Sequence, residues 1–398
     1  MLIGIVGKPN VGKSTFFKAL TMMPVEIANR PFVTIDANRG TGYVRVEDIG
    51  PEFGVVSTPR LGFIKGKWRF VPVDLMDVAG LVPGAHQGRG LGNKFLDDLR
   101  QADALIMVVD VSGSTDEEGN FIGQGRYNVV NDVKWLEQEL DWWFYNILEK
   151  NVPKAIRGAR VNKKPLDEAI LSVVSGLNIK KSHIEKALSI LGIENNDYDI
   201  GPEEIKALAH ELRLVSKPIL IAANRIDIDL DIAKENLEKL RKEFPDKIIV
   251  PTSGYAELIL KELDKEGKIS YIPGEKEIEI KTKLSEKEKK AIEFIEEKIF
   301  QEFGSTGVQL ALDKVVFDLL RYIPVFPGGV NKLTDKEGRV LPDCFLLPEG
   351  STVLDFAQKI HSDMADKFIK AIDVRTKKII GKDYILKPRD VIQIIFGK

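Results

Sequence analysis

Gly7-Lys8-Pro9-Asn10-Val11-Gly12-Lys13-Ser14 follows directly on the apolar run Leu2 to Val6 and opens a stretch of helical texture. Gly-x4-Gly-Lys-Ser between a strand and a helix is the pattern of a phosphate-binding loop. The chemistry requires these residue types. Glycines let backbone N–H groups converge on phosphate oxygens with no Cβ in the way. Lys13 reaches the β and γ oxygens, Ser14 ligates Mg²⁺, and the helix N-terminus adds a favourable dipole. The expected phosphate-binding residues are therefore Gly7, Lys8, Pro9, Asn10, Val11, Gly12, Lys13, Ser14 and Thr15, with Lys13 also the catalytic cation.

Outward from this loop, short apolar runs alternate with turns and amphipathic stretches, the texture of a doubly wound, mostly parallel α/β sheet. Leu2 to Val6, Phe70 to Met76, Ala104 to Val109, Pro218 to Ala223 and Ile248 to Pro251 read as buried strands. Asp77-Val78-Ala79-Gly80 ends the second of them. There an Asp holds the Mg²⁺ shell through water, and the Gly80 amide senses the γ-phosphate. Asn224-Arg225-Ile226-Asp227 ends a later strand, where Asp227 can accept from guanine N1–H and N2–H₂ together, a pair adenine lacks. Ser253-Gly254 follows the last strand and is positioned to offer a backbone amide to guanine O6.

Between Gly80 and Asn224 lie 143 residues, against about 30 or more for a whole βαβ unit. Leu136, Leu140, Trp143 and Ile147 recur there at helical spacing, as do Ala187, Leu188 and Leu191, so a helical element is inserted into the nucleotide domain. Its aromatics Trp135, Trp142, Trp143, Phe144 and Tyr145 read as packing rather than a stacking platform. Ser285 and Glu288 suggest a capping box ahead of Ile292, Ile295 and Ile299. From Tyr322 the texture turns to short strands around one helix, opened by Thr352 and Asp355 and striped by Val353, Ala357 and Ile360. The expected division is 1–120 with 211–275 for the nucleotide domain, 121–210 for the helical arm, 276–320 for a helical connector, and 321–398 for a small α+β domain.

Charge and cysteine usage bound the setting. A formal net charge of −2 gives no overall nucleic-acid signal, yet residues 367–389 hold eight Lys/Arg against Asp373 and Asp383. Lys377, Lys378 and Lys382 are the expected RNA or ribosome contacts if one face gathers them. No apolar run approaches membrane length. The single Cys344 fits a reducing, cytoplasmic compartment, and the strand starting at Leu2 argues against a leader peptide.

GKPNVGKST, NRPFVTIDANRG, DVAGLVPGAHQGRGLGNKF and AANRID together resemble the Obg family of GTPases, and within it the YchF (Obg-like ATPase) branch. DCFLLPEGSTVLDFAQKIH through LKPRDVIQIIF resembles a TGS domain, a β-grasp module. The resemblance implies a helical arm, a TGS domain, and work on ribosomes or translation. It also implies that Thr34 is the switch threonine closing onto Mg²⁺. Relatives that prefer ATP carry N-x-x-E where this chain has Asp227, which favours GTP here. Arg225 replaces the usual Lys, with a stem and planar head still able to cover a base. Leu81 stands where a water-positioning glutamine is found in Ras-type enzymes, and Met107 stands on the strand to which some relatives owe a catalytic His. His86 is a substitute, and Asn10 is either a loop-stabilising side chain or a ligand for K⁺.

The expected protein is a Mg²⁺-dependent GTP-hydrolysing switch acting on ribosomes. An ATP-preferring hydrolase, a P-loop small-molecule kinase and a nucleotide-gated RNA-binding module are the alternatives.

Overall fold

The computed structural model describes residues 1–22, 39–78 and 99–397. Its largest sheet has seven strands: β1 (Leu2–Val6), β2 (Arg39–Glu47), β3 (Phe63–Lys65), β4 (Trp68–Asp77), β5 (Ala104–Asp110), β6 (Ile219–Asn224) and β7 (Ile249–Thr252). The order is β2-β4-β1-β5-β6-β7, with β3 paired antiparallel to β4. β1 runs parallel to β4 and β5, β5 to β6, and β6 to β7. A parallel sheet covered on both faces needs strands that are apolar throughout. β5 and β6 meet that demand up to their last residues, Asp110 and Asn224, and are buried at every position. The five strands expected from sequence are all present, and the parallel arrangement puts their carboxyl ends on one edge. There the phosphate loop, Asp77, Asp110, Asn224 and Ser253 collect, as ligand sites in such sheets do.

The described chain forms two compact units. The first comprises residues 1–22, 39–41, 74–78 and 99–311, the second 42–73 and 312–397. In the first, the inserted segment is built on the helix Val130–Asn162, which packs against the helices Leu166–Val174 and Pro202–Ser216. Leu136, Leu140, Trp143, Phe144, Leu148 and Val152 form its buried stripe, each large side chain contributing about 1.5–3 kcal/mol on burial. Trp143 and Phe144 meet edge to face at 5.1 Å inside it. Trp142, read as packing, instead stays 40% exposed. A hairpin of β8 (Ile269–Tyr271) and β9 (Ile278–Ile280) follows, so the segment 276–320 is not wholly helical. The Ser285 capping box is present, with Oγ accepting from Glu288 N, and the helix Glu286–Phe294 continues into a wider π turn over Ile295–Phe300.

The second unit holds β10 (Tyr322–Pro327), β11 (Phe345–Pro348), β12 (Phe368–Asp373), β13 (Ile379–Ile380) and β14 (Val391–Phe396) in the order β11-β10-β14-β12-β13. The helix Val353–Ile360 starts at a reciprocal Thr352/Asp355 cap and buries Val353, Phe356 and Ala357 beneath the sheet. Two boundaries differ from the expectation, the second unit beginning at 312 instead of 321. Residues 42–73, inside the expected 1–120 segment, group with 312–397. The reason is polar: buried Arg69 donates to the carbonyls of Leu341 and Pro342, each at 2.6 Å, and Arg45 pairs with Asp313 at 2.8 Å. No periodicity announces such pairings. Among the described residues no helix is long and apolar enough to cross a membrane.

Candidate nucleotide site

Steric demands fix the loop from Gly7 to Ser14. Gly12 has φ 87°, and a Cβ there would lie 2.6 Å from the Asn224 side-chain nitrogen. A Cβ on Gly7 would lie 2.7 Å from the carbonyl oxygen of Val108. The helix Lys13–Thr21 begins at this turn, with Phe16 N donating to Gly12 O at 2.9 Å. Its first amides are left for an anion, and no acidic side chain opposes one in the first turn. The β1–β4 register sets Ile5 beside Asp77. That register delivers the Asp77 carboxylate to the loop, where it ion-pairs with Lys13 and accepts from Ser14 Oγ at 3.4 Å. Lys13, Ser14 and Asp77, far apart in sequence, are thus brought together.

The base-reading strand end is equally specific. Asn224 is buried; its Nδ2 donates to Val11 O at 3.0 Å, and its Oδ1 accepts from Thr252 Oγ1 at 3.3 Å and Gly254 N at 3.0 Å. One amide therefore ties the phosphate loop, β7 and the turn after it. Asp227 is half-buried and its carboxylate has no partner among the described residues. Two expectations need correction here. The Ser253 amide donates to Thr306 O at 2.8 Å and the Gly254 amide to Asn224, so neither is available to guanine O6. The Ala256 amide is held by Ser253 Oγ, which leaves Tyr255 as the helix-starting amide without a partner among the described residues. The second concerns Arg225, whose guanidinium bonds Asp110 at 3.0 Å instead of lying loose over a base.

Lys8 departs furthest from expectation. Its side chain is 2% exposed and turns away from the phosphate loop, donating to Thr115 O at 2.9 Å and Asp132 Oδ1 at 3.0 Å beneath the Tyr127 ring. What it can offer a phosphate is its backbone amide. Asn10, at φ 62°, donates to Gly119 O at 3.0 Å, so its side chain serves the loop. Burial pushes the Asp132 carboxyl up to about 6, with the Lys8 ammonium pulling the other way. Below that pH the carboxylate takes a proton and the ion pair is lost. Because the folded-state value is the higher one, this group's contribution to stability declines as pH rises from the ordinary carboxylate range to about 6. Asp132→Ala should cost about 3–5 kcal/mol by leaving the Lys8 ammonium buried without the carboxylate that pairs with it. Denaturant melts of Asp132→Ala and of the apolar pair Lys8→Met/Asp132→Leu check this, the pair being expected to recover most of the loss.

Thr34, Gly80, Leu81 and His86 lie outside the described residues. Met107 sits in mid-strand, paired with Val6 and Ile221 and fully enclosed, so it is a core residue. In the C-terminal unit Lys377, Lys378 and Lys382 are exposed. Two of the eight cations in that stretch are used internally: Arg375 pairs with Glu52 at 2.8 Å, and Arg389 with Glu47 at 3.1 Å.

Comparison with known proteins places these features. The profile of the 50S ribosome-binding GTPases matches residues 2–134, that of the G4 motif-containing domain of YGR210-like Obg-like GTPases matches 222–329, and that of the TGS domain matches 332–396. An uncharacterized GTP-binding protein of Methanocaldococcus jannaschii is 46% identical over 99% of this chain and 98% of its own length. The ribosome-binding ATPase YchF of Escherichia coli O157:H7 is 30% identical over 99% and 98%. A solved GTP-binding protein of Pyrococcus horikoshii OT3 superposes with a TM-score of 0.81 at 36% identity, covering the whole of both chains.

Proposed function

We propose, from the premise that this chain belongs to the YchF branch of the Obg-like GTPases and is a nucleoside triphosphate hydrolase, that it takes GTP with Mg²⁺ and acts on the ribosome in the cytoplasm. The observation that carries the guanine reading is the Asn224 network, which holds the Asn224–Asp227 turn against the phosphate loop while the Asp227 carboxylate stays unengaged among the described residues. Losing a paired reader costs about 1–3 kcal/mol per unmet group. GTP should therefore bind at least about tenfold more tightly than ATP. A competition titration with both nucleotides tests it: Asp227→Asn should lower the ratio, and equal affinities in the parent protein would overturn the guanine reading.

Mg²⁺ fits the donors present. Ser14 Oγ and the Asp77 carboxylate lie together beside the helix start, a small oxygen set of the kind this ion uses when phosphates and waters complete its octahedron. Among the described residues no cluster of three or more acidic, His or Cys side chains offers a complete protein cage. We assign Ser14 as the direct ligand, Asp77 as a ligand through water, and Thr34 and Gly80 as the groups that close in the triphosphate state. Bound there, the ion would neutralise charge on the β and γ oxygens. K⁺ has one candidate donor in Asn10 Oδ1, the amide nitrogen being committed to Gly119. In this reading 1–120 with 211–275, apart from the 42–73 stretch that groups with 312–397, acts as the nucleotide domain and 121–210 as the arm, while 276–311 leads on to the C-terminal unit.

Two surfaces support a ribosomal RNA partner. One is the exposed trio Lys377, Lys378 and Lys382. The other lies on the far half of the long helix and the turn that follows it, where Lys150, Lys154, Arg157, Arg160, Lys163 and Lys164 are exposed and no Asp or Glu occurs from 150 to 164. Reversing the charge of the trio should weaken ribosome binding and flatten the log K against log salt plot by about one unit for each phosphate that the trio neutralises. Pelleting with ribosomes across a salt series measures both. An unchanged slope would remove the trio from the interface.

A further inference from the structure

Asp110 belongs to neither the phosphate loop nor the base-reading turn, yet it is the most elaborately held carboxylate of the nucleotide domain among the described residues. It ends β5, its side chain is fully enclosed, and it accepts from Ser112 N at 3.1 Å, Ser112 Oγ at 2.5 Å, Ser114 Oγ at 2.8 Å and Thr115 Oγ1 at 3.2 Å. Hydroxyls and an amide orient it but do not neutralise it. The cation that does so is Arg225, whose Nη1 meets Asp110 Oδ2 at 3.0 Å and Ser114 Oγ at 3.5 Å.

Arg225 is the second residue of the base-reading turn, and its backbone is strained. Its φ of 71° lies in the left-handed region, which a residue with a Cβ enters only when its surroundings over-determine it. Asn224 and Asp227 flank it in the same turn. Its side chain also runs along the phosphate loop: Nε lies 3.8 Å from the position a Cβ on Gly12 would occupy. The far end of the arginine is thus anchored on a partner that four donors keep from following it. Between anchor and backbone the side chain passes beside Gly12, with 30% of it left exposed.

We infer that Asp110 is a positioning residue for base recognition: by clamping the Arg225 guanidinium it holds the strained turn and lays the arginine stem out as one wall of the base site. The inference rests on the Asn224–Asp227 turn being the base reader. Asp110 touches no phosphate-binding side chain among its partners, so the clamp should govern the nucleoside part of a ligand and leave the phosphates alone. Loss of either partner of a buried charge pair leaves the other uncompensated, so the effects of the two losses should not add.

Binding of GTP, GDP and inorganic triphosphate to the full chain separates these effects. Asp110→Asn keeps the shape and most of the hydroxyl bonds while removing the charge. It should weaken GTP and GDP by about tenfold or more, the value of a charge-assisted pair, and leave inorganic triphosphate within about twofold. Arg225→Met should do the same, and the double variant should be no weaker than the worse single one. Arg225→Lys, which keeps a stem and a cation for Asp110, should recover most of the loss. Additive losses, unchanged GTP binding, or triphosphate falling in step with GTP would each overturn the assignment. If Asp110→Asn does not fold, the Met and Lys variants at 225 carry the same comparison. Should the parent protein prefer ATP, the guanine reading fails by itself, and the clamp is then judged on ATP against inorganic triphosphate.

Discussion

Lys13→Ala should lower turnover by about 10²–10³-fold or more, the usual consequence of removing a preorganised donor from a site of developing negative charge. The side chain stands at the first residue of the helix Lys13–Thr21, 12% exposed and paired with Asp77. It joins no apolar cluster, and the partner it leaves behind keeps Ser14 Oγ within 3.4 Å. The fold should therefore survive with a change of about 1 kcal/mol or less, as for other partly exposed pairs. Lys13→Arg should rescue poorly, because a planar fork does not reproduce a compact ammonium at the end of a flexible stem. Single-turnover hydrolysis and a thermal melt on the same preparations decide the matter. Undiminished turnover in Lys13→Ala would place phosphate chemistry somewhere other than this loop.

The frame that positions this lysine was readable from periodicity alone. β1, β5 and β6 are apolar runs up to the polar residues that end β5 and β6, as burial on both faces of a parallel sheet requires, while β4 and β7 are mainly apolar, β4 leaving Asp74 exposed. The caps at Ser285 and Thr352 were readable for the same local reason, since their partners lie three residues away. What stayed hidden is long-range and polar. Lys8 finds Asp132 across 124 residues, Arg225 finds Asp110 across 115, and Arg69 reaches Leu341 across 272. Nothing in composition or spacing specifies such a pairing; the sheet order and the path of the loop after β5 create it. The motif assigned Lys8 to the phosphates by position, whereas its length and charge served a buried carboxylate. Asp110 left a faint trace, an Asp ending an apolar strand as Asp77 does, but one trace of that kind is common at strand ends. The Ser253 and Gly254 amides failed as guanine readers because the Thr306 carbonyl and a buried asparagine had already claimed them.

Asn224→Ala should be the most damaging single change in the base-reading turn, and it separates scaffold from reader. Truncation leaves the Val11 carbonyl and the Gly254 amide without the partners that hold them at 3.0 Å. Each unmet buried group costs about 1–3 kcal/mol, so the protein should lose about 2–6 kcal/mol of stability. The cavity beside Gly12 adds to that, because the asparagine nitrogen is what fills the space a Cβ would need. Nucleotide affinity should fall by about a hundredfold, since the phosphate loop and the turn after β7 lose their common tie. Asn224→Asp keeps the acceptor toward Gly254 and Thr252 but turns a carboxylate oxygen on the Val11 carbonyl, so it should be no milder for nucleotide binding. Asp227→Asn offers the contrast. Its parent carboxylate makes no internal hydrogen bond among the described residues, so stability should stay within about 0.5 kcal/mol while guanine preference drops. Denaturant unfolding and nucleotide titration on the three variants read both axes. Equal stability losses at 224 and 227 would mean that the turn is held in some way other than through Asn224.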